Sequence, residues 1–308
     1  MSYSYQKIRR FSSNCHVYSF SPNEFRFDAT LGTVGKLEKL SKINGEPTAD
    51  EYTIAKINGN VFRFNGTKEI IGSYVDDGKY YSPNEEFYPT LVFWKDGINA
   101  KKLTIQKNPT QKQLVDYQMH AYWAMATLWS LIIDGKQNFT YPQNTVYKVF
   151  SHAASRCPRT MIGQKKDGTI IWVVVDGRKL TSPGITLMQE YTLMNELGCY
   201  VACNVDGGGS SEMIVNGSIV NNPSDGAERS IGSALMCYAK KNVVNTQKKG
   251  ITTASLLNVR KGSNTKYARI GELSKGSTVY VVAIIGNWYK IVYGNTYGYV
   301  SKQYVKLV

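Results

Sequence analysis

The 308-residue sequence predicts an α+β fold, in which a domain of mixed β-sheet with a few packed helices precedes a small all-β domain. Tyrosine, a residue type that favours strands, occurs 22 times. Short apolar runs recur between Asn-Gly pairs, which are typical of the turns in β-hairpins. Two stretches repeat apolar residues at helical spacing. We therefore expect many short strands and few helices.

The first hundred residues are predicted to be rich in strands. Strands are expected at residues 17–20, 52–57, 61–64 and 91–94, with turns at Asn44-Gly45, Asn58-Gly59 and Asn65-Gly66. Asn58 lies where a strand meets a turn. It is either an ordinary hairpin residue or an amide directed into a polar site, and the local pattern is compatible with both.

Helices are predicted at residues 111–128 and 186–198. The first is indicated by apolar residues at helical spacing. The second begins with a capping box formed by Thr186 and Gln189, and Gly198 supplies its C-terminal stop.

Two arginines flank a predicted hairpin. Arg159 precedes a strand at residues 161–163, and Arg178 follows a buried-looking strand at residues 170–175, in the sequence Asp176-Gly177-Arg178. Sites are commonly built on loops that follow strands. Arginine suits bidentate recognition of phosphate, although either residue taken alone is also typical of a surface ion pair.

The main candidate site is a glycine-rich loop between strands predicted at residues 199–205 and 213–215. The loop contains Asp206, Gly207, Gly208, Gly209, Ser210 and Ser211. Its bare N–H groups can cradle an anionic oxygen or a sugar, whereas a tight hairpin that tolerates glycine is the plain alternative. No Lys follows the glycines, and a strand rather than a helix comes next, which excludes the common nucleotide-binding loops.

The charge is positive and uneven. The chain carries a net charge of +14, and residues 251–308 contain eight Lys and Arg against one acidic residue. Such a basic module indicates attraction to an anionic polymer, either nucleic acid or a phosphate-rich cell-wall polymer, although a solvated surface is equally consistent. The five scattered cysteines are typical of reduced thiols in a protein made in a cytoplasm. No secretory signal and no apolar run of ~18 residues is present, so we expect no membrane span.

The order of these motifs resembles the phosphodiester glycosidase family over most of residues 14–240. The family's arginine-threonine pair is similar to Arg159-Thr160, and its Asn-x-Asp-Gly-Gly-Gly-Ser-Ser loop is complete at residues 204–211. Its Asp-Gly-Arg turn is similar to residues 176–178, its downstream turn ending in Arg to residues 223–229, and its Asn-Gly-x-Phe element to residues 58–62. Glu212 stands where the family usually has Thr.

Residues 255–308 resemble a bacterial SH3 domain, a module that commonly targets enzymes to bacterial cell walls. The resemblance is carried by residues 257–262, 271–276, 288–291 and 298–300. It implies a catalytic domain at residues 1–240, a linker at 241–253 and a small all-β SH3-like barrel at 254–308. Trp288 is expected to fill the core of this barrel.

The family resemblance implies hydrolysis of a sugar-1-phosphodiester, with release of the sugar and a phosphomonoester. It implies Asp206 and Asp176 as nucleophile, base or stabiliser of an oxocarbenium-like state, and Arg159 as a third catalytic residue. The implied substrate-binding or phosphate-binding residues are Asn58, Gly59, Arg178, Asn204, Gly207, Gly208, Gly209, Ser210, Ser211 and Arg229. We expect Arg159→Ala to abolish turnover without unfolding the protein.

The implied partner is a bacterial cell-wall polymer or glycan rather than nucleic acid, reached after lysis or as part of a phage particle. No cofactor is required by the pattern, although Asp and Asn are suitable ligands for Ca²⁺ or Mg²⁺. A non-catalytic wall-binding or receptor-binding protein is one alternative, and a peptidoglycan hydrolase is another. The second is disfavoured because the histidines are limited to His16, His120 and His152, and only Cys15 precedes a histidine.

Overall fold

The structure of the protein is a computed structural model. The chain divides into two compact units, Met1–Ala239 and Lys240–Val308. The structure describes residues 3–33, 35–48, 50–63, 69–82, 88–107, 109–138, 153–240, 244–294 and 296–308. The predicted turn at Asn65-Gly66 and residue His152 lie outside these ranges.

A seven-stranded sheet, here called the central sheet, forms the framework of the first unit. In spatial order, its strands are β1 (Tyr3–Arg10), β2 (Ser13–Phe20), β14 (Ile170–Val175), β13 (Arg159–Lys165), β15 (Cys199–Asn204), β11 (Trp129–Ile133) and β12 (Lys136–Gln137). Its neighbouring strands pair in antiparallel register, so their side chains alternate between two faces.

Two five-stranded sheets and a short ribbon complete the first unit in the described residues. The second sheet has the order β7 (Lys79–Ser82), β6 (Tyr74–Asp76), β10 (Ala121–Ala126), β8 (Thr90–Trp94) and β9 (Leu103–Gln106). The third has the order β17 (Ser218–Ile219), β16 (Met213–Val215), β5 (Glu51–Asn58), β19 (Ser233–Lys240) and β3 (Arg26–Leu31). The ribbon pairs β18 (Ser230–Ile231) with β4 (Glu38–Lys39).

The two faces of the central sheet bury different partners. One face, which carries Ile162 and Trp172, contributes to the main core together with side chains of the second and third sheets. The other face, which carries Met161 and Val173, packs against the helix α2 (Leu187–Glu196). Burial of apolar area on both faces explains why β14 is an unbroken apolar strand, Ile-Ile-Trp-Val-Val-Val.

The α+β class is confirmed, whereas one predicted helix is shorter than expected. The helix α1 spans Gln111–His120 and begins with a capping box of Thr110 and Gln113. The chain then continues as β10, whose backbone pairs with β6 and β8 and whose side chains, apart from exposed Tyr122, are buried. The predicted capping box of α2 is present, with Thr186 accepting a hydrogen bond from the backbone of Gln189. Neither helix has the length and apolar character needed to cross a bilayer, and the described residues contain no other candidate.

The second unit is a small all-β module. Its strand order is β22 (Arg269–Ser274), β21 (Leu256–Arg260), β25 (Thr296–Ser301), β24 (Trp288–Tyr293), β23 (Thr278–Ile285), β20 (Val244–Thr252) and β26 (Val305–Leu307). The segment predicted as a linker thus contains β20, because its backbone pairs with β23 and β26. Trp288 is only half-buried, and its neighbour Tyr289 fills the core instead, since adjacent residues of a strand face opposite sides.

Candidate active site

The glycine loop, residues 206–211, lies where the central sheet meets the third sheet. It connects β15 of the central sheet to β16 of the third sheet, so it is a crossover and not a hairpin. Backbone hydrogen bonds hold it at both edges: Gly208 donates to the Pro158 carbonyl at 3.0 Å, and Asp206 donates to the Gly59 carbonyl at 3.1 Å. The loop is therefore fixed by segments that are distant in sequence.

Asn58 ties the two ends of the glycine loop together. Its Nδ2 donates to the Asp206 carbonyl at 2.7 Å, and its Oδ1 accepts from the Glu212 N–H at 3.2 Å and from the Thr160 hydroxyl at 2.8 Å. The side chain is fully buried. Gly59 beside it packs against Ser233, where a Cβ would lie 2.5 Å from the hydroxyl oxygen. Both residues shape the loop from beneath.

Asp206 is the partly exposed carboxylate of the loop. Burial raises its pKa to about 6, although the Ser210 hydroxyl, the Gly207 N–H and the Arg229 guanidinium favour the ionised form. The Gly207 N–H donates to Asp206 Oδ1 at 2.9 Å, which fixes the orientation of the carboxylate. A carboxyl group of this pKa is mostly ionised at neutral pH and still basic enough to accept a proton.

Two guanidinium groups converge on one carboxylate next to the glycines. Arg229 donates from Nε to Asp225 Oδ2 at 2.8 Å, and its Nη2 lies 2.5 Å from the same oxygen. Arg178 reaches Asp225 Oδ1 from another loop, at 3.8 Å from Nη1. All three side chains are partly exposed. These groups are here called the arginine pair and its carboxylate, and their two positive charges make an arrangement that is chemically suited to an anion.

The glycines are needed at this point because the arginine pair leaves no room for side chains. Gly208 has a φ of +61°, and a Cβ there would lie 3.0 Å from Arg178 Nη2. A Cβ on Gly209 would overlap Arg229 Nη2 and Asp225 Oδ2. The bare backbone thus allows the two guanidinium groups to lie directly against the loop.

Asp176 is buried and already has several hydrogen-bond donors. His16 Nε2 lies 3.4 Å from its Oδ2, Asn14 Nδ2 donates to the same oxygen at 3.2 Å, and the Asn222 N–H donates to Oδ1 at 2.8 Å. Burial opposes ionisation, but these donors outweigh it and lower the pKa of Asp176. The Tyr5 hydroxyl lies 2.9 Å from His16 Nδ1 and completes the chain of polar groups. Asp176 therefore links its own turn, which carries Arg178, to the segment of Asn222, which carries Arg229.

Arg159 and Asn204 lie on the face of the central sheet that packs against α2, opposite the face that carries Ile162 and Trp172. Arg159 Nε forms an ion pair with Glu190 Oε1 at 3.1 Å, and Asn204 Nδ2 donates to the same oxygen at 3.2 Å. Burial raises the pKa of Glu190 to about 7, although Arg159 opposes the shift. Arg159 is 7% exposed and also donates to the carbonyl of Ile185. Arg159 and Asn204 thus make contacts in the interior, because Arg159 shares its face of β13 with Met161, and Asn204 shares its face of β15 with Ala202, and both of these pack against α2.

The two serines and Glu212 lie beneath the loop surface. Ser210 and Ser211 are buried, and the Ser211 carbonyl accepts from Asn221 Nδ2 at 3.0 Å. Burial raises the pKa of Glu212 to about 8, and the neighbouring carboxyl of Glu228 adds to the shift. Glu212 is 3% exposed, so the residue that departs from the family pattern does not meet solvent directly.

A cleft of about 720 Å³ opens beside the arginine pair. Its wall consists of Lys36, Leu37, Asp225, Ala227, Glu228, Arg229 and Ser230. The arrangement presents two guanidinium groups for an anion, a carboxylate for proton transfer and open space for the rest of a ligand. In the described part of the chain, no group of three His, Cys, Asp or Glu side chains is arranged to hold a metal ion. The expectation of Ca²⁺ or Mg²⁺ stays a prediction.

The sequence motifs predicted some of the residues of this site. Asp206, the glycines, Arg178 and Arg229 come together as expected, whereas Arg159 and Asn204 do not join them. Asp225, the carboxylate shared by both arginines, was not assigned a role, although its position four residues before Arg229 is a signal for an ion pair. Asn14, His16 and Asn222, which hold Asp176, were missed because they act through the tertiary structure alone.

Comparisons with known proteins agree with this architecture. The family described as phosphodiester glycosidase matches residues 51–238, and the bacterial SH3 domain matches residues 255–306. An uncharacterised SPbeta prophage-derived protein of Bacillus subtilis, YomE, is 32% identical over 187 residues, which are 59% of this chain and 27% of that protein. Bacteriocin BCN5 of Clostridium perfringens is 47% identical over 55 residues, or 18% of this chain and 6% of its own. The chain thus spans 27% of the length of the first relative and 6% of the second.

The fold is also shared with solved structures. The catalytic domain of zebrafish N-acetylglucosamine-1-phosphodiester alpha-N-acetylglucosaminidase, auto-inhibited by its pro-peptide, has a TM-score of 0.62 at 19% identity, covering 76% of this chain and 81% of that one. A hypothetical protein from Synechocystis has a TM-score of 0.60 at 11% identity, covering 77% and 62%. At such identities the likeness concerns the fold alone.

Proposed function

The chain belongs to the phosphodiester glycosidase family and also carries a bacterial SH3 domain, and from these two facts we propose that it hydrolyses a sugar-1-phosphodiester in an anionic bacterial cell-wall polymer. The observation that carries the proposal concerns Arg229, which lines the open cleft, acts electrostatically on Asp206 and shares the Asp225 carboxylate with Arg178. A phosphate group needs positive charge, and a hydrolytic water needs a base; this site offers both.

The proposed reaction breaks the bond between the anomeric carbon and the phosphate oxygen. Water attacks the anomeric carbon, Asp206 takes the proton of the water, and the bonding electron pair leaves on the phosphate oxygen. The products are the free sugar and a phosphomonoester. A phosphate anion leaves without prior protonation, so the main demand on the protein is to neutralise its charge.

The candidate residues differ in how directly they can contact a substrate. Arg178 and Arg229 are accessible and suited to bind phosphate oxygens. The N–H groups of Gly207 and Gly208, by contrast, already donate to Asp206 Oδ1 and to the Pro158 carbonyl. Asp176 positions both arginines, since it lies in the turn that carries Arg178 and accepts a hydrogen bond from Asn222 of the segment that carries Arg229. Arg159 acts as a buried structural partner of Glu190. Its neighbour Pro158 contacts the glycine loop, since the Pro158 carbonyl accepts a hydrogen bond from the Gly208 N–H.

A peptidoglycan hydrolase with a cysteine nucleophile is not supported by the thiols. Cys15, whose position before a histidine had left that class open, is fully buried, and burial raises its pKa to about 11. Burial likewise raises the pKa of Cys199 to about 12. A thiol needs to ionise to attack a carbonyl carbon, and these environments oppose it.

The second unit is proposed to bring the enzyme to the wall. Exposed tyrosines such as Tyr297, whose ring lies 4.3 Å from Lys290 Nζ, combine apolar area with positive charge. The Bacillus relative is described as prophage-derived, which supports a phage origin and action after lysis or as part of a particle. A genomic neighbourhood that lacks phage genes would count against this origin.

The test is release of a phosphomonoester. Purified protein and its Asp206→Asn variant are incubated with an alkyl phosphodiester of glucose 1-phosphate and, separately, with purified wall teichoic polymer. Released monoester is measured as inorganic phosphate after treatment with a phosphomonoesterase. We expect release by the wild type and at least ~10²-fold less by the variant. Binding to the polymer without any release would instead identify a non-catalytic wall-binding protein.

A further inference from the structure

The anion-binding arrangement of the free protein is already occupied by one of its own carboxylates. Asp225 Oδ2 accepts from Arg229 Nε at 2.8 Å and lies 2.5 Å from Nη2, while Oδ1 lies 3.8 Å from Arg178 Nη1. The same carboxylate rests against the backbone of Gly209, where a Cβ would overlap Asp225 Oδ2. Three separate segments of the chain therefore surround Asp225 in the manner expected for a bound phosphate oxygen.

The charges of this arrangement determine which phosphates it accepts. Arg178 and Arg229 supply two positive charges, and Asp225 supplies one negative charge. Lys36 and Glu228, which line the same cleft, add one charge of each sign, so a single positive charge is left for a ligand. A phosphodiester carries one negative charge, whereas a phosphomonoester carries close to two at neutral pH and above. Asp206 adds a further negative charge on the neighbouring side once it ionises above a pKa of about 6. The dianion is thus repelled by carboxylates that the monoanion tolerates.

We propose that Asp225 is a specificity-determining residue that makes the site accept monoanionic phosphodiesters and reject dianionic phosphomonoesters. This inference rests on the proposed function, because the phosphomonoester is its product. The Asp225 carboxylate acts in substrate binding and in product release. It leaves room for the substrate monoanion to bind the outer N–H groups of the arginines. It repels the product, because cleavage gives the product a second negative charge.

The position of Asp225 suits this role. It lines the cleft together with Arg229, so it meets the ligand and not the protein interior. It lies in a turn in which Gly226, at a φ of +82° and with open space around it, donates to the Pro223 carbonyl at 3.2 Å. The turn is held from the other side by the Asn222 N–H, which donates to Asp176. The carboxylate is accordingly presented from an anchored but exposed loop.

The experiment compares two probes that differ by one methyl group and one charge. Binding of methyl phosphate, a dianion at pH 8, and of dimethyl phosphate, a monoanion, is measured by calorimetry at pH 8 for the wild type, Asp225→Asn and Asp225→Ser. Asparagine keeps an oxygen acceptor for Arg229 Nε but removes the charge. Asp116→Asn, a removal of the same charge from an exposed position on α1, is the matched control.

We expect Asp225→Asn to bind methyl phosphate ~10-fold more tightly, and dimethyl phosphate at most ~3-fold more tightly. Asp225→Ser should change the ratio of the two affinities in the same direction, and Asp116→Asn should change neither affinity. An unchanged ratio in both Asp225 variants overturns the proposal, and so does weaker binding of both probes, which would make Asp225 only a support for the arginines. Because binding is measured without turnover, a failed hydrolysis assay of the wild type remains a separate result.

Discussion

The side-chain amide of Asn58 donates to the backbone carbonyl of Asp206 at 2.7 Å, while its oxygen accepts from the backbone N–H of Glu212 at 3.2 Å. One buried side chain at the end of β5 thereby sets the span of the glycine loop. The chain separates Asn58 from Asp206 by 148 positions, so this contact exists only in the folded protein. It makes the conformation of the loop depend on the third sheet.

Asn58→Ala is expected to destabilise the protein by ~2–3 kcal/mol, because it leaves a buried carbonyl and a buried N–H without their partner. The free energy of unfolding is measured by urea denaturation, together with kcat on the soluble phosphodiester. Asn58→Asp places an ionisable carboxyl group at a fully buried position facing the Asp206 carbonyl, so its cost at neutral pH is expected to be at least as large. Equal free energies of unfolding for the wild type and Asn58→Ala would show that the glycine loop does not depend on Asn58 for its conformation.

The rate of hydrolysis is expected to follow the ionisation of Asp206. Burial raises its pKa to about 6, and the proposed base is active only when ionised. Therefore kcat/KM should fall ~10-fold per pH unit below about pH 6 and level off above it. A profile measured from pH 4 to 9 tests this, and a rate that is constant between pH 4 and 6 would contradict a base role for Asp206.

The same carboxyl group should lower stability as pH rises. Its pKa is raised from 3.8 in the unfolded chain to about 6 in the folded protein, so the folded protein holds the proton more tightly. Stability from this group is complete below about pH 4 and is lost as pH rises through 6. Asp206→Asn removes this loss and should be more stable than the wild type at pH 7 by up to ~2 kcal/mol. A stability difference between the two proteins that does not vary from pH 4 to 7 would refute the linkage.

Arg159→Ala is expected to unfold or severely destabilise the protein, in contrast to the expectation drawn from the motif. Removal of the guanidinium leaves the fully buried Glu190 without its ion-pair partner, which typically costs ~3–5 kcal/mol. The double variant Arg159→Met with Glu190→Leu removes both charges and should recover most of the loss. Thermal and urea denaturation of the single and double variants give the coupling energy. A stable, folded Arg159→Ala protein without activity would restore the catalytic role.

Gly209→Ala should reduce activity more than stability. A Cβ at this position would overlap Arg229 Nη2 and Asp225 Oδ2, so the arginine pair must move away from the loop. Displacement of a binding group by ~1 Å can cost ~10²-fold in rate. Gly217→Ala is the control, since Gly217 has a φ of +78° and open space around it, and its replacement should cost only ~1 kcal/mol of stability. Activity is measured on the soluble phosphodiester, and equal rates for both variants would show that close packing of the loop is dispensable.

Local patterns predicted the parts of this protein that local contacts hold together. The capping box of Thr186 and Gln189 involves residues three apart, and it starts α2 as expected. The strand Ile170–Val175 was recognisable from its apolar, β-branched composition. By contrast, the region 121–126 continues the apolar spacing of α1 but forms β10, whose backbone pairs with β6 and β8, two strands that are distant in sequence.

The sequence by itself determined the α+β class, the order of the motifs and the presence of Asp206, Arg178 and Arg229 as candidate site residues. Only the tertiary structure decided that Arg159 and Asn204 face α2, that Asp176 anchors a turn, and that Asp225 lies between the two arginines. The physical reason is that the direction of a side chain depends on which face of a strand it occupies and on which segment packs against that face. These contacts join residues tens to hundreds of positions apart, and no local pattern encodes them.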